Sequence, residues 1–258
     1  LAFAIEFDGR RTLVTGAGQG VGRGIARSLA RAGSTVVVND VRPDRADAVV
    51  EEIRAEGGRA EAAIFDVTSF EEVLAATDRL GPFWALVNNA GNAGTERFAL
   101  TPFVETDPTD WDRYFAINLY GVLNCTRGVL PGMIERQEGR IVTIVSDAGR
   151  RGEPYMSAYA AAKAGAAGFS RAVAREVGRY GITVNNVALG SMATPTDLFP
   201  EASEEMAERR ARRLRDYVIR RFGTPEDVAG LVTYLASPLA SWITGQTYPV
   251  NGGYTMGQ

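Results

Sequence analysis

Thr15-Gly16-Ala17-Gly18-Gln19-Gly20-Val21-Gly22 closes one apolar run, Arg11–Thr15, and opens a helical stretch, Gly22–Ala32. Glycines let the main chain turn sharply, and a helix N-terminus behind them offers unpaired N–H groups and a positive dipole end to an anion. The spacing is TGxxxGxG, not the GxGxxG of the commoner dinucleotide fingerprint. A Gly-rich turn alone needs no ligand; the strand before it and the helix after it make this one a candidate pyrophosphate site. Gly16, Gly18, Gln19, Gly20, Val21 and Gly22 are the candidate cradle.

The same rhythm runs outward from this motif. Apolar runs Arg11–Thr15, Thr35–Asp40, Arg59–Val67, Trp84–Ala90, Arg140–Ser146, Ile182–Leu189 and Gln246–Val250 alternate with helical stretches. Those stretches are Gly22–Ala32, Arg45–Glu56, Ser69–Leu80, Thr109–Glu135, Ala158–Tyr180 and Pro225–Ala236. Near-continuous apolar runs suit parallel strands covered on both faces. The expectation is an α/β fold with three layers, α/β/α and Rossmann-like: a doubly wound parallel sheet of about seven strands in a single domain, 1–258. Pro249 has no N–H for a ladder, which predicts that the last strand lies at a sheet edge. The rhythm breaks at Ala193–Arg220, where Pro195, Phe199 and Pro200 precede a charge-dense helix, Ser203–Arg220. This predicts an insertion, 193–220, lying over the carboxyl edge of the sheet as a substrate lid. The alternative is a plain surface connection with a solvated helix.

Composition narrows the chemistry. The 258 residues are 45% apolar and 23% charged with a net charge of −3, which allows a full core and implies no strong pull toward nucleic acid or a membrane. No apolar run approaches the roughly 18 residues of a membrane span. Leu1–Asp8 lacks the pattern of a signal peptide, and the single cysteine, Cys125, forms no internal disulfide; a cytoplasmic location is expected. Histidine is absent, which removes Ser-His-Asp and Cys-His triads and the common zinc sites, and no metal ligand set is visible. A general acid or base is then a tuned Tyr, Lys, Asp, Glu or Cys. Lysine occurs once, at Lys163, in a chain otherwise furnished with arginine, and so points to a role that a planar guanidinium does not fill.

Further candidates stand at strand ends. Asp40 ends the second run, where a carboxylate accepts from a ribose 2′-OH and repels a 2′-phosphate, which favours NAD over NADP. Arg42, two residues on, is the counterweight and keeps NADP possible. Asp66 and Val67 close the third run, where the carboxylate serves an adenine amine or, alternatively, a helix start. Asn88-Asn89-Ala90-Gly91 ends the fourth, with small residues that let a cofactor pass. Tyr159 and Lys163, at i and i+4, share one helix face. A free tyrosine titrates near 10, so a base at neutral pH needs a shift of about 3 units, or about 4 kcal/mol. An ammonium about 4 Å away at an effective dielectric of about 20 supplies that much. Ser146 ends the fifth run at the edge where open α/β sheets bind ligands.

Together these residues resemble the short-chain dehydrogenase/reductase family over nearly the whole chain, Arg11 to Gly253. The marks are Thr15–Gly22, Asn88–Gly91, Asn118, Ser146, Tyr159-Ala160-Ala161-Ala162-Lys163, Arg221-Phe222-Gly223-Thr224-Pro225-Glu226-Asp227 and Ile243-Thr244-Gly245-Gln246. The resemblance implies a tetrad. Tyr159 moves the substrate proton, Lys163 lowers the tyrosine pKa and holds the nicotinamide ribose, Ser146 polarises the carbonyl, and Asn118 helps hold a water linking Lys163 to solvent. It also implies cofactor contacts at Asn89, Ala90, Gly91, Gly190 and Thr194, and a homotetramer. One departure stands at Leu189, where the family usually has proline.

The expected function is NAD(H)-dependent interconversion of a secondary alcohol and a ketone, with a small, uncharged or weakly charged substrate. The pocket is expected from Ala93–Phe103, Asp147–Met156 and 190–220. One alternative is a 3-oxoacyl-thioester reductase, in which the arginines at 209, 210, 212, 213 and 215 attract phosphate; the plainer reading of that run is a solvated helix face balanced by Glu201, Glu204, Glu205 and Glu208. Another is a non-catalytic dinucleotide-binding sensor, against which the intact tetrad argues.

Overall fold

The computed structural model describes residues 4–91, 101–193, 208 and 211–256. Seven strands form one parallel sheet: β1 (Arg11–Val14), β2 (Thr35–Asp40), β3 (Arg59–Ile64), β4 (Ala85–Asn88), β5 (Gly139–Ser146), β6 (Ile182–Leu189) and β7 (Thr247–Val250). Their order is β3-β2-β1-β4-β5-β6-β7. The winding reverses between β1 and β4, so their carboxyl ends flank a crevice. Among the described residues β7 pairs only with β6, and Pro249 stands opposite Ala188 on that edge, as its missing N–H requires.

The apolar runs are nearly continuous because both faces are covered. Val14, Val36, Val38 and Val87 face a core shared with helix α1 (Gly20–Arg31), helix α2 (Pro43–Ala55) and the helix Pro225–Ala236. Leu13, Val37 and Leu86, one residue out of phase, face the opposite core with helix α3 (Phe70–Leu80) and two longer helices. Those are α5 (Gly121–Arg136) and α7 (Ser157–Val177).

The stretch expected as one helix, Thr109–Glu135, is interrupted. Helix α4 (Pro108–Phe115) passes through one π-helical turn, Ala116–Tyr120, before α5 begins. The wider turn inserts a residue without changing which side chains are apolar, so periodicity does not reveal it. Gly121 at its end packs on Val67, where a Cβ would come within 2.8 Å of Val67 Cγ2. A short helix α6 (Ala148–Arg151) follows β5. The 193–220 segment expected as a lid lies partly outside the described residues; of it, 211–214 are helical. No helix among the described residues is long and apolar enough to cross a membrane.

Candidate active site

At the crevice the glycine motif forms a cradle. Gly16 has φ +59°, and a Cβ there would fall 2.8 Å from Ala90 Cα. On Gly22 a Cβ would overlap Gly16 O and Asn89 Nδ2. α1 starts at Gly20; its N-cap, Gln19, makes no side-chain cap, and the first turn, which includes Val21, holds no acid, so its N–H groups are left to an incoming anion. Neighbouring side chains brace the turn: Gly16 N donates to Asn39 Oδ1 (3.3 Å) and Gly18 N to Asp40 Oδ2 (3.2 Å). Thr15 Oγ1 accepts from both Asn89 N and Ala90 N at 3.0 Å, clamping β1 to β4. Asn39 and Thr15 are supports that sequence reading left without a role. Their only signal was a polar residue at the end of an apolar run.

Asp40 is 7% exposed, and its Oδ1 accepts from Arg42 N at 3.0 Å. The carboxylate is thus held at the end of β2, beside the cradle. The Arg42 guanidinium turns outward to Asp44, with contacts of 3.2 and 2.8 Å. Asp66 Oδ1 accepts from Thr68 N (2.8 Å) and Thr68 Oγ1 (2.9 Å), which serves the turn before α3. Val67 is buried, and its carbonyl accepts from Asn124 Nδ2 at 3.0 Å.

Two candidates from separate segments converge on a third, Gly91: a Cβ there would sit 2.7 Å from Asn118 Oδ1 and 2.9 Å from Lys163 Nζ. Asn118 lies in the π-helical turn, fully buried, and its Nδ2 donates to Tyr114 O at 3.0 Å. Lys163 Nζ donates to Ile144 O at 2.9 Å, and burial pushes its ammonium down to about 8. Tyr159 shares a hydrogen bond with Ser146 and packs edge-on against Tyr114, ring centroids 6.3 Å apart.

The electrostatics differ from the sequence expectation. Burial raises the Tyr159 pKa, and the opposing influence is the Ser146 hydrogen bond. Lys163 Nζ lies 5.9 Å from the Tyr159 ring centroid. The spacing of four does place both on one helix face, but the same burial that brings them together disfavours both charged forms.

Leu189 continues β6, opposite Ser146 and Val250, and is buried in the core, so it replaces the family's usual proline without breaking the strand. Gly190 N then donates to Val250 O at 3.3 Å. Thr194, residues 93–100 of the expected pocket, and Arg209 and Arg210 lie outside the described residues. Arg213 departs from the solvated face expected of it: its Nε donates to Ser191 Oγ at 3.0 Å and its Nη2 lies 3.4 Å from Glu153. Next to Ser146, Asp147 is 2% exposed and held by Arg150 (2.8 Å) and Asn251 (2.6 Å).

A cradle that Cβ atoms would fill, an uncapped helix N-terminus and a buried carboxylate at the end of β2 fit a nicotinamide dinucleotide.

A family model described as enoyl-(acyl carrier protein) reductase matches residues 16–255. The 7alpha-hydroxysteroid dehydrogenase of Escherichia coli (strain K12) is 36% identical over 256 residues, 96% of this chain and 95% of that protein. A 3-oxoacyl-[acyl-carrier protein] reductase from Brucella melitensis, solved with bound NAD, is 34% identical with a TM-score of 0.87, covering 96% of this chain and 92% of that one. A gluconate 5-dehydrogenase from Burkholderia cenocepacia J2315, solved with NADP and tartrate, is 33% identical with a TM-score of 0.87, covering 98% of each chain.

Proposed function

The chain belongs to the short-chain dehydrogenase/reductase family, and on that footing we propose how its own residues carry the reaction. It is an NAD(P)-dependent oxidoreductase that interconverts an alcohol and a carbonyl compound. The observation that carries the residue assignment is the meeting of Gly91, Asn118 and Lys163 beside a Tyr159 bonded to Ser146.

When bound, the nicotinamide supplies or accepts the hydride. Tyr159 gives its phenolic proton to the substrate oxygen in reduction and takes it back in oxidation. Ser146 holds that oxygen through its hydroxyl. Lys163 donates to the nicotinamide ribose and stabilises the phenolate once the tyrosine has given up its proton. Asn118 presents Oδ1 beside Lys163 Nζ, where it holds the water that returns the proton. Gly16, Gly18, Gln19, Gly20, Val21 and Gly22 cradle the pyrophosphate. Asp40 accepts from the ribose and favours NAD, an assignment supported by the outward pairing of Arg42 with Asp44. Asp66 and Val67 receive the adenine, Asn89, Ala90 and Gly91 line the passage, and Gly190 and Thr194 border the nicotinamide.

The whole chain, 1–258, is read as one catalytic domain with 193–220 as a substrate lid. A cytoplasmic homotetramer fits its single buried Cys125 and the almost fully exposed Trp242, five residues before β7. A second reading, reduction of 3-oxoacyl thioesters, is favoured by the name of the Brucella relative.

Cofactor reduction over a panel of secondary alcohols with NAD and NADP tests the assignment. Lys163→Arg should lose at least a hundredfold in kcat, about 2.7 kcal/mol, and Tyr159→Phe more. Near-normal turnover in either variant removes that residue from the mechanism.

A further inference from the structure

The wall beyond Ser146 carries more positive charge than its described neighbours offset. Asp147 N donates to Leu189 O at 3.0 Å, so the chain leaving β5 and the chain leaving β6 run side by side off the sheet. On the β6 side, Ser191 N donates to the Tyr217 hydroxyl at 2.7 Å, and Ser191 Oγ accepts from Arg213. On the β5 side, Glu153 faces Arg213 and accepts from the Tyr254 hydroxyl at 2.8 Å. The Tyr254 ring stacks on Tyr217, centroids 4.9 Å apart. Arg151 Cζ lies 4.9 Å and Arg213 Cζ 5.9 Å from the centre of that same ring.

Three segments therefore close around one tyrosine with two guanidinium groups on it. Arg150 is balanced by the buried Asp147. Glu153 pairs with Arg213, and Arg151, which is exposed, has no carboxylate partner among the described residues, so the two arginines share one carboxylate-derived negative charge. Seated against an aromatic ring and a serine hydroxyl, the Arg213 guanidinium is held in orientation before any ligand arrives.

Resting on the reading that Ser146 and Tyr159 hold the reacting oxygen, we infer that the substrate carries a carboxylate and that Arg213, with Arg151 beside it, receives that group. The second negative charge the two arginines lack is then the substrate's own. Arg213 is anchored to Ser191, two residues beyond the Leu189 that pairs with Ser146, which puts it on the Ser146 side of the crevice, where a short substrate's own carboxylate would reach it. The phosphates of a phosphopantetheine or coenzyme A thioester are many bonds from the carbonyl. The class is a small hydroxy acid and its oxo acid. In oxidation the C–H hydride leaves to the nicotinamide, the O–H proton goes to Tyr159, and the carboxylate is unchanged. This narrows the small, uncharged or weakly charged substrate expected from sequence to one with a single carboxylate.

The test compares short-chain secondary hydroxy acids, their methyl esters and the matching coenzyme A thioesters on the purified enzyme with NAD and with NADP. Wild type should prefer acid over ester by at least tenfold in kcat/KM, chiefly through KM. Arg213→Gln should bring that ratio to within threefold of unity, and Arg213→Lys should restore part of it. An Arg213 that only supports the fold would lower both arms and leave the ratio alone. Equal or better turnover of the esters or thioesters by wild type overturns the inference while leaving the hydride-transfer reading intact. No cofactor reduction with any alcohol overturns that reading instead. Because the acid-to-ester ratio is measured on wild type, it decides the matter even where a variant fails to fold.

Discussion

Replacing Lys163 with methionine should abolish turnover and yet stabilise the cofactor-free protein near neutral pH. The ammonium is buried and titrates at about 8 instead of 10.5. Its folded-state pKa is thus depressed, and below pH 8 the lysine is charged in both states while only the folded state bears the full desolvation cost. At about 1.4 kcal/mol per unit that cost is about 3 kcal/mol. Methionine removes it and keeps most of the packing volume, but loses the bond from Nζ to Ile144 O, worth about 1 kcal/mol. The net gain at pH 6.5 is about 2 kcal/mol, which raises Tm by about 4–8 °C in a chain of this size. Between pH 8 and 10.5 the unfolded wild type binds more protons than the folded form, so wild-type stability rises with pH. By pH 9.5 the remaining cost is about 1 kcal/mol, close to the lost hydrogen bond, and the gap should close. Thermal unfolding of both proteins at pH 6.5 and 9.5, at equal concentration, measures this. A variant less stable than wild type at pH 6.5, or a gap that does not narrow, would refute the placing of a strained cation beside Gly91.

Asp40→Ala should erode an NAD preference of at least tenfold in kcat/KM, about 1.4 kcal/mol. It should also raise KM for NAD, because the same carboxylate braces Gly18 N; a wild type that prefers NADP would reassign the ribose contact. Far from the site, Arg140 is 4% exposed and donates to the carbonyls of Ser237, Gly139 and Gly181 beside the Trp84 ring. Arg140→Met leaves those carbonyls short of donors and should cost about 2–4 kcal/mol in urea unfolding with kcat preserved; a cost under about 1 kcal/mol would show the cation to be replaceable.

Much of the fold was legible because its signals are local. Val36-Val37-Val38 reads as a strand covered on both faces, Pro249 reads as an edge, and the alternation of strands and helices leaves few topologies. The glycine motif and the pair Tyr159 and Lys163 are legible for the same reason, since a sharp turn and a helical repeat are written in neighbouring residues.

What the tertiary structure alone decided is the company each side chain keeps. Thr109–Glu135 gave no hint of the π-helical turn that carries Asn118 to Lys163, because one added residue leaves the apolar pattern unchanged. Arg213 looked like one of a run of solvated arginines until packing brought Ser191, Glu153 and Tyr254 around it. Tyr159 and Lys163 looked like an ion pair in the making, but the burial of both sets their protonation against the simple Coulomb expectation. Periodicity and turn chemistry are properties of adjacent residues and survive in one dimension. Desolvation and charge pairing depend on residues far apart in the chain, and only the closed sheet and its covering helices bring those together.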